Sequence, residues 1–191
     1  GMKLIKDIVH NHVGLNHWTI LDMPFKEWVN QWPTYTNTSY KDQTLFDPYA
    51  ADIDRDIMER GWFVPTMPDL NQRSSFVRNY ITQSHIWWIE YAGIDGFRLD
   101  TYAYNDLEYM AEWANKIKEE YPQFTFFGET WVHGLPNQAV YLKGNKLNQG
   151  IDTGLEGVTD FQLHYAIIEA MNSEFGWMSG VNKLYSITAA D

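Results

Sequence analysis

Cysteine is absent from this chain of 191 residues, which excludes a disulfide framework, a thiolate metal site and cysteine nucleophilic chemistry while leaving the redox compartment open. Basic residues are scarce. The 14 Lys and Arg stand against 25 Asp and Glu, a net charge of −11, so no surplus of cations can displace counterions from a phosphate backbone, and nucleic acid is not expected as a partner. No run of about 18 apolar residues occurs, so no membrane span is expected. The start also lacks the charged-then-apolar pattern of a secretory signal, and Gly1-Met2 reads as a tag remnant ahead of a chosen start, so any targeting segment is expected to have been removed.

What is present points to one globular domain: 45% hydrophobic and 20% charged residues, enough to bury roughly 70% of the unfolded chain's surface. Aromatics make up 16%, with 9 Trp and 12 Tyr, more than core filling requires, which suggests flat surfaces for stacking on a ligand.

Residues 3–9 form a short β-branched run that suits a buried parallel strand and ends in His10-Asn11-His12. Residues 13–65 are polar and aromatic with weak periodicity; an irregular stretch of that length predicts a functional binding loop or small inserted lobe. Residues 74–92 place Phe76, Val77, Tyr80, Ile81, Ser84, Trp87, Trp88 and Tyr91 at helical spacing, with Gly93 as the stop. Ile94 to Asp100 reads as the next strand. Asn105 followed by Glu108 resembles a helix start, and Met110, Trp113, Ala114, Ile117 and Tyr121 form that helix's apolar stripe. A third strand is expected over Phe124 to Glu129, a weak helix over 136–146, a fourth strand over Val158 to Leu163 and a helix over 164–173.

Alternating strands and helices require a parallel sheet, hence an α/β fold. A complete eight-unit barrel takes about 250 residues. The four units visible here therefore predict a partial (β/α)8 TIM barrel over 1–191, with 13–65 inserted after its first strand.

Polar clusters fall at strand ends, where the loops of a parallel barrel build active sites. Asp100 and Glu129 close consecutive strands 29 residues apart, one strand-helix-strand step, so both should stand on one rim. Two neighbouring carboxylates suit glycoside chemistry, one attacking the anomeric carbon and the other protonating the leaving oxygen. Arg98, two residues before Asp100, faces the same way, and an arginine beside an aspartate favours its ionised form. The same residues also admit a plainer reading, a supporting Arg/Asp pair and a solvated Glu.

Asp7-Ile8-Val9-His10-Asn11-His12, Met67-Pro68-Asp69-Leu70-Asn71, Gly96-Phe97-Arg98-Leu99-Asp100 and Phe127-Gly128-Glu129-Thr130-Trp131 resemble, in order and spacing, four short regions of the α-amylase family of glycoside hydrolases. His17-Trp18 through Trp28-Val29-Asn30, with Asp100 to Tyr104, is most similar to its neopullulanase and cyclomaltodextrinase branch, which includes enzymes of bacterial starch-utilisation systems. The resemblance implies a retaining hydrolase of α-glucan oligosaccharides. It implies Asp100 as nucleophile, Glu129 as general acid/base, Arg98 orienting Asp100, His12 bonding the sugar at the cleaved bond, and Asp7 and Asn11 supporting the rim. Trp131, two residues after the acid, is the candidate stacking platform. Tyr104 is counted with the substrate-binding residues, although many members carry Lys and His where this chain has Ala103 and Tyr104. Asn11 matches a position that ligates structural calcium in many members, so calcium is the candidate metal, with no cofactor otherwise required. The family's third carboxylate lies in an Asn-His-Asp motif that is missing here. The implied coverage is the third to sixth barrel strands, so weak activity or none is expected of this polypeptide alone, along with self-association through half-barrel edges. The compartment is expected to be bacterial periplasm or cytoplasm.

Two rivals come from other classes. A non-catalytic carbohydrate-binding or structural piece would bind sugar without hydrolysing it. A metal-dependent hydrolase barrel would use His10 and His12 as an H-x-H zinc pair, but needs further ligands at later strand ends, where His85, His133 and His164 do not fall.

Overall fold

The computed structural model describes residues 1–145 and 150–190. Three parallel strands form its sheet, β1 (Ile5–Val9), β2 (Gly96–Asp100) and β3 (Thr125–Gly128), in the spatial order β1-β2-β3. The register sets Asp7 opposite Arg98, Val9 opposite Asp100 and Arg98 opposite Phe127. Because side chains alternate along a strand, Phe97 and Leu99 of the central strand are buried on one face while Arg98 and Asp100 share the other.

The buried face is covered by α4 (Ser75–Ala92) and α5 (Leu107–Glu120). Met110, Trp113 and Ile117 are fully enclosed on α5, and an aliphatic side chain such as Ile117 contributes roughly 1.5–3 kcal/mol by that burial. Gly93 stops α4 in the left-handed conformation, at φ 61°, with its N–H on the Ile89 carbonyl, a geometry that costs other residues strain. The buried stripe of α4 differs from the expected one. Val77, Ile81, His85 and Ile89 face the core, whereas Phe76, Trp87 and Tyr91 are exposed and Trp87 stacks on Tyr91. The helix carries apolar residues around more of its circumference than it buries. The cap of α5 is also one residue later than its Asn105 signal: the Asp106 carboxylate accepts from Tyr109 N, while the Asn105 amide donates to the Thr101 and Tyr102 carbonyls.

Residues 13–65 hold α1 (Trp18–Leu21), α2 (Gln43–Phe46) and α3 (Asp52–Arg60). Antiparallel bridges His12–Asp69 and Val29–Leu70 tie the segment back to the end of β1. Gly61 is required where the chain passes Thr38, since a Cβ there would lie 2.5 Å from Thr38 N and 2.6 Å from the Ile57 carbonyl oxygen.

After β3 come α6 (Leu135–Ala139), α7 (Phe161–Asn172) and α8 (Val181–Thr188). The expected fourth strand is reduced to a single parallel bridge between Gly128 and Val158. Asp160 ends it, because its carboxylate caps α7 through Leu163 N at 2.8 Å and turns Phe161 to Leu163 into helix. The helix expected over 136–146 is the shorter α6, and residue 146 lies outside the described residues.

Candidate active site

The exposed face of the sheet collects its charges at the C-terminal ends of the strands. Arg98 Nη1 lies 2.9 and 2.8 Å from the two Asp7 carboxylate oxygens and 2.7 Å from Asp100 Oδ1, while Nη2 lies 2.8 Å from Glu129 Oε1. One guanidinium therefore joins carboxylates that belong to, or directly follow, each of the three strands. Partial burial opposes its charge, but the bonds to Asp100 and Asp7 and the charge of Glu129 outweigh this and raise its pKa. The second oxygen of Glu129 accepts the Thr101 N–H at 3.0 Å. Thr101 presents that N–H from a left-handed backbone, φ 48°, and a β-branched residue holds such a conformation only where its surroundings fix it. The main chain fixes this one: Glu129 N donates to the Leu99 carbonyl and Tyr102 N to the Glu129 carbonyl.

His12 stacks on Phe63, with ring centroids 4.8 Å apart and planes 9° from parallel, and its Nδ1 faces Asn11 Oδ1 at 3.0 Å. Burial lowers its pKa, partly offset by the Asp100 charge. His10 goes elsewhere. It is wholly buried against His85 and Trp113, because the chain bends after Val9, so the two histidines of the H-x-H form do not share a site. Among the described residues no group of three or more His, Cys, Asp or Glu is placed to hold a metal.

Asn11 donates its amide to Asp69 Oδ1 at 2.6 Å and to the Tyr104 carbonyl at 3.1 Å, and the other Asp69 oxygen accepts from Asn30 at 2.6 Å. Burial pushes the Asp69 carboxyl well above its usual range, against the pull of the two amides. As arranged, these residues do not fit a calcium shell. The oxygens that would ligate the ion already receive N–H groups, and the small cavity beside them is also lined by Arg60 and Arg73.

A cleft of about 200 Å³ is lined by Phe63, Asp100, Thr101, Tyr104, Glu129 and Trp131. Tyr40 packs edge-on to Phe63 and Tyr104. Burial raises the Tyr104 phenol to about 12, helped by the charges of Tyr40, Asp42 and Glu129, so it stays a neutral hydrogen-bonding group. Trp131 is 59% exposed and is backed by Phe161, 5.1 Å away and 14° from parallel. A larger hollow of about 560 Å³ opens beside α3 between residues such as Arg55, Glu59, Arg73 and Asp106. Burial there raises Glu59 to about 7, with Arg73 opposing and Asp106 assisting, but neither Asp100 nor Glu129 lines it.

The structure thus gathers Asp100, Glu129, Tyr104 and Trp131 around one cleft, with Arg98 bonded to both carboxylates and His12 against the cleft's Phe63. It places Asn11 behind them, bonded to Asp69. Sequence reasoning missed Phe63, whose only signal was an aromatic shortly before Met67-Pro68-Asp69, and the backbone N–H of Thr101, which carries no side-chain signal.

A parallel α/β sheet with paired carboxylates at the C-terminal ends of its strands is the arrangement in which barrel enzymes build their active sites. The chain belongs to the α-amylase family: the family model described as "Alpha amylase, catalytic domain" matches residues 1–186. It is 26% identical over 157 residues to a cyclomaltodextrinase of Geobacillus thermopakistaniensis, covering 78% of this chain and 23% of that protein. It is 25% identical over 152 residues to an intracellular maltogenic amylase of Bacillus subtilis, covering 80% of this chain and 24% of that protein. The crystal structure of an α-amylase from Geobacillus thermoleovorans complexed with acarbose superposes with a TM-score of 0.72 at 28% identity, over 99% of this chain and 36% of that one. The chain therefore spans about a quarter of the length of the curated relatives it matches, and its fold is part of a TIM barrel.

Proposed function

We propose that the protein carrying this chain is a retaining hydrolase of α-glucan oligosaccharides, with β1 to β3 and the bridge at Val158 corresponding to barrel strands three to six and residues 13–65 forming an inserted lobe over the cleft. The observation that carries this reading is the single guanidinium of Arg98 holding Asp100 and Glu129 side by side on an aromatic-walled cleft. Close carboxylate pairs are the arrangement of retaining glycosidases. The Asp100 carboxylate attacks the anomeric carbon, and the glycosidic C–O bond breaks as Glu129 gives its proton to the leaving oxygen. Glu129 then takes a proton from water, whose oxygen attacks the same carbon and releases Asp100. Arg98 keeps Asp100 aimed, His12 and Tyr104 bond the sugar, Trp131 stacks on it, and Asn11 braces the rim through Asp69. The polypeptide 1–191 by itself turns over slowly or not at all, since the family's third carboxylate motif is absent from it.

The test replaces Asp100 by Asn and Glu129 by Gln in the active protein carrying this chain. Each change keeps the shape and removes a reacting group. Turnover of maltooligosaccharides should vanish while their binding persists; activity within about tenfold of the unmodified protein would overturn the roles. Sugar binding with no hydrolysis by the unmodified protein would instead favour a carbohydrate-binding module.

A further inference from the structure

We propose that Asp42 is a positioning residue for the Trp131 platform, acting through the backbone of His133. Asp42 lies in the 13–65 segment, 91 residues from its partner, yet its carboxylate is only 2% exposed and accepts both His133 N and His133 Nδ1 at 2.7 Å. A buried carboxylate that reaches across the fold to a main-chain N–H is a strong, charge-assisted anchor. The His133 ring is 73% exposed, so its share of the contact is screened by water and the N–H bond is the fixed part.

The anchored backbone lies two residues beyond Trp131. On its other side the same loop is held from α7, where Gln162 Nε2 donates to the Val132 carbonyl at 2.9 Å and Phe161 stacks behind the indole. Trp131 is thus suspended between α7 and the inserted segment, with Asp42 as a tether from the insert side. Glu129 does not depend on that tether. Arg98, the Thr101 N–H and the main-chain bonds to Leu99 and Tyr102 hold it in place. Losing Asp42 should therefore loosen sugar stacking and spare the proton-transfer group.

This inference rests on Trp131 as a sugar platform, and the experiment separates the two. In the active protein carrying this chain, Asp42→Ala should raise the KM for maltotetraose roughly tenfold with kcat within about twofold, the pattern of lost uniform binding. Trp131→Ala should do the same. The double variant should be little worse than either alone, because the two act on one interaction. His133→Ala keeps the backbone N–H and should stay within about threefold of the unmodified protein, and Asp42→Asn, which keeps an acceptor oxygen, should recover most of the loss. Should Asp42→Ala not fold, Asp42→Ser takes its place, since its hydroxyl is too short to reach His133. A normal KM in Asp42→Ala beside a raised one in Trp131→Ala overturns the tether alone, as does a fall in kcat at constant KM or strict additivity. A normal KM in Trp131→Ala overturns the platform and the tether together.

Discussion

Replacing His10 by leucine should flatten the acid side of the protein's stability curve. His10 is wholly buried edge-on to His85 and Trp113, with ring centroids 4.7 Å away in each case, and among the described residues neither of its nitrogens has a hydrogen-bond partner. Burial, reinforced by His85, holds its pKa well below 6.5; burial, reinforced by the Lys6 charge, holds His85 at about 3. The folded protein therefore keeps both imidazoles neutral while the unfolded chain protonates them below about pH 6.5. Their contribution is fully present above that pH and is lost progressively as the pH falls toward the folded values. The unfolded value sets the ceiling: at pH 5 each imidazole removes at most about 2 kcal/mol relative to neutral pH, or at most about 4 kcal/mol for the pair. That is a large part of a typical stability of about 5–15 kcal/mol. Leucine titrates nothing and nearly conserves volume, whereas replacing His85 would orphan the Trp113 indole N–H, which donates to His85 Nδ1 at 3.1 Å. Urea unfolding followed by circular dichroism at pH 7.5 and 5.0 measures the effect. The His10→Leu variant should lose less between the two pH values than the unmodified protein, by up to about 2 kcal/mol. Carboxylates titrate in both proteins and cancel in the difference. An equal loss in both would refute the reasoning.

Arg98→Lys keeps a charge but cannot span Asp7, Asp100 and Glu129 with a planar fork; kcat should fall by roughly 10²–10³ with the fold retained, and near-normal turnover would show that the carboxylates aim themselves. Gly61→Ala places a methyl group against the Thr38 and Ile57 backbones and should cost at least about 2 kcal/mol by urea unfolding, a loss below about 0.5 kcal/mol showing that the two segments separate freely. β1 is an edge strand, and its Ile5 and Val9 are exposed on the face that carries Asp7, so the polypeptide 1–191 should self-associate; light scattering that reads a monomer at every concentration would contradict this.

The central strand and its two helices were legible because local signals agree there. Gly93, the β-branched and aromatic run to Asp100, and the Met110, Trp113, Ile117 stripe each lead to one structure, and all three occur. Residues 158–163 misled because their apolar run carries its own helix cap, Asp160, which periodicity does not weigh. Asp100, Glu129 and Arg98 could be read as neighbours because one strand-helix-strand step separates the first two and strand alternation aligns the third. Asp42, Phe63 and Asn30 could not, since they reach the site from an irregular segment where no period ties position to direction. The exposed Trp87 and Tyr91 make the converse point: aromatic spacing marks a helix face without saying what covers it.

Arg98 bonds to Asp7 as well as to the two cleft carboxylates, and this redundancy bears on how the protein could be imaged at work. If Asp100 is neutralised, the guanidinium still has two anchors on flanking strands, so it need not swing into the space where a sugar would sit. An inactivated protein of this kind is a ready trap. Crystals of an Asp100→Asn variant soaked with an intact oligosaccharide should capture the uncleaved chain in an undistorted cleft.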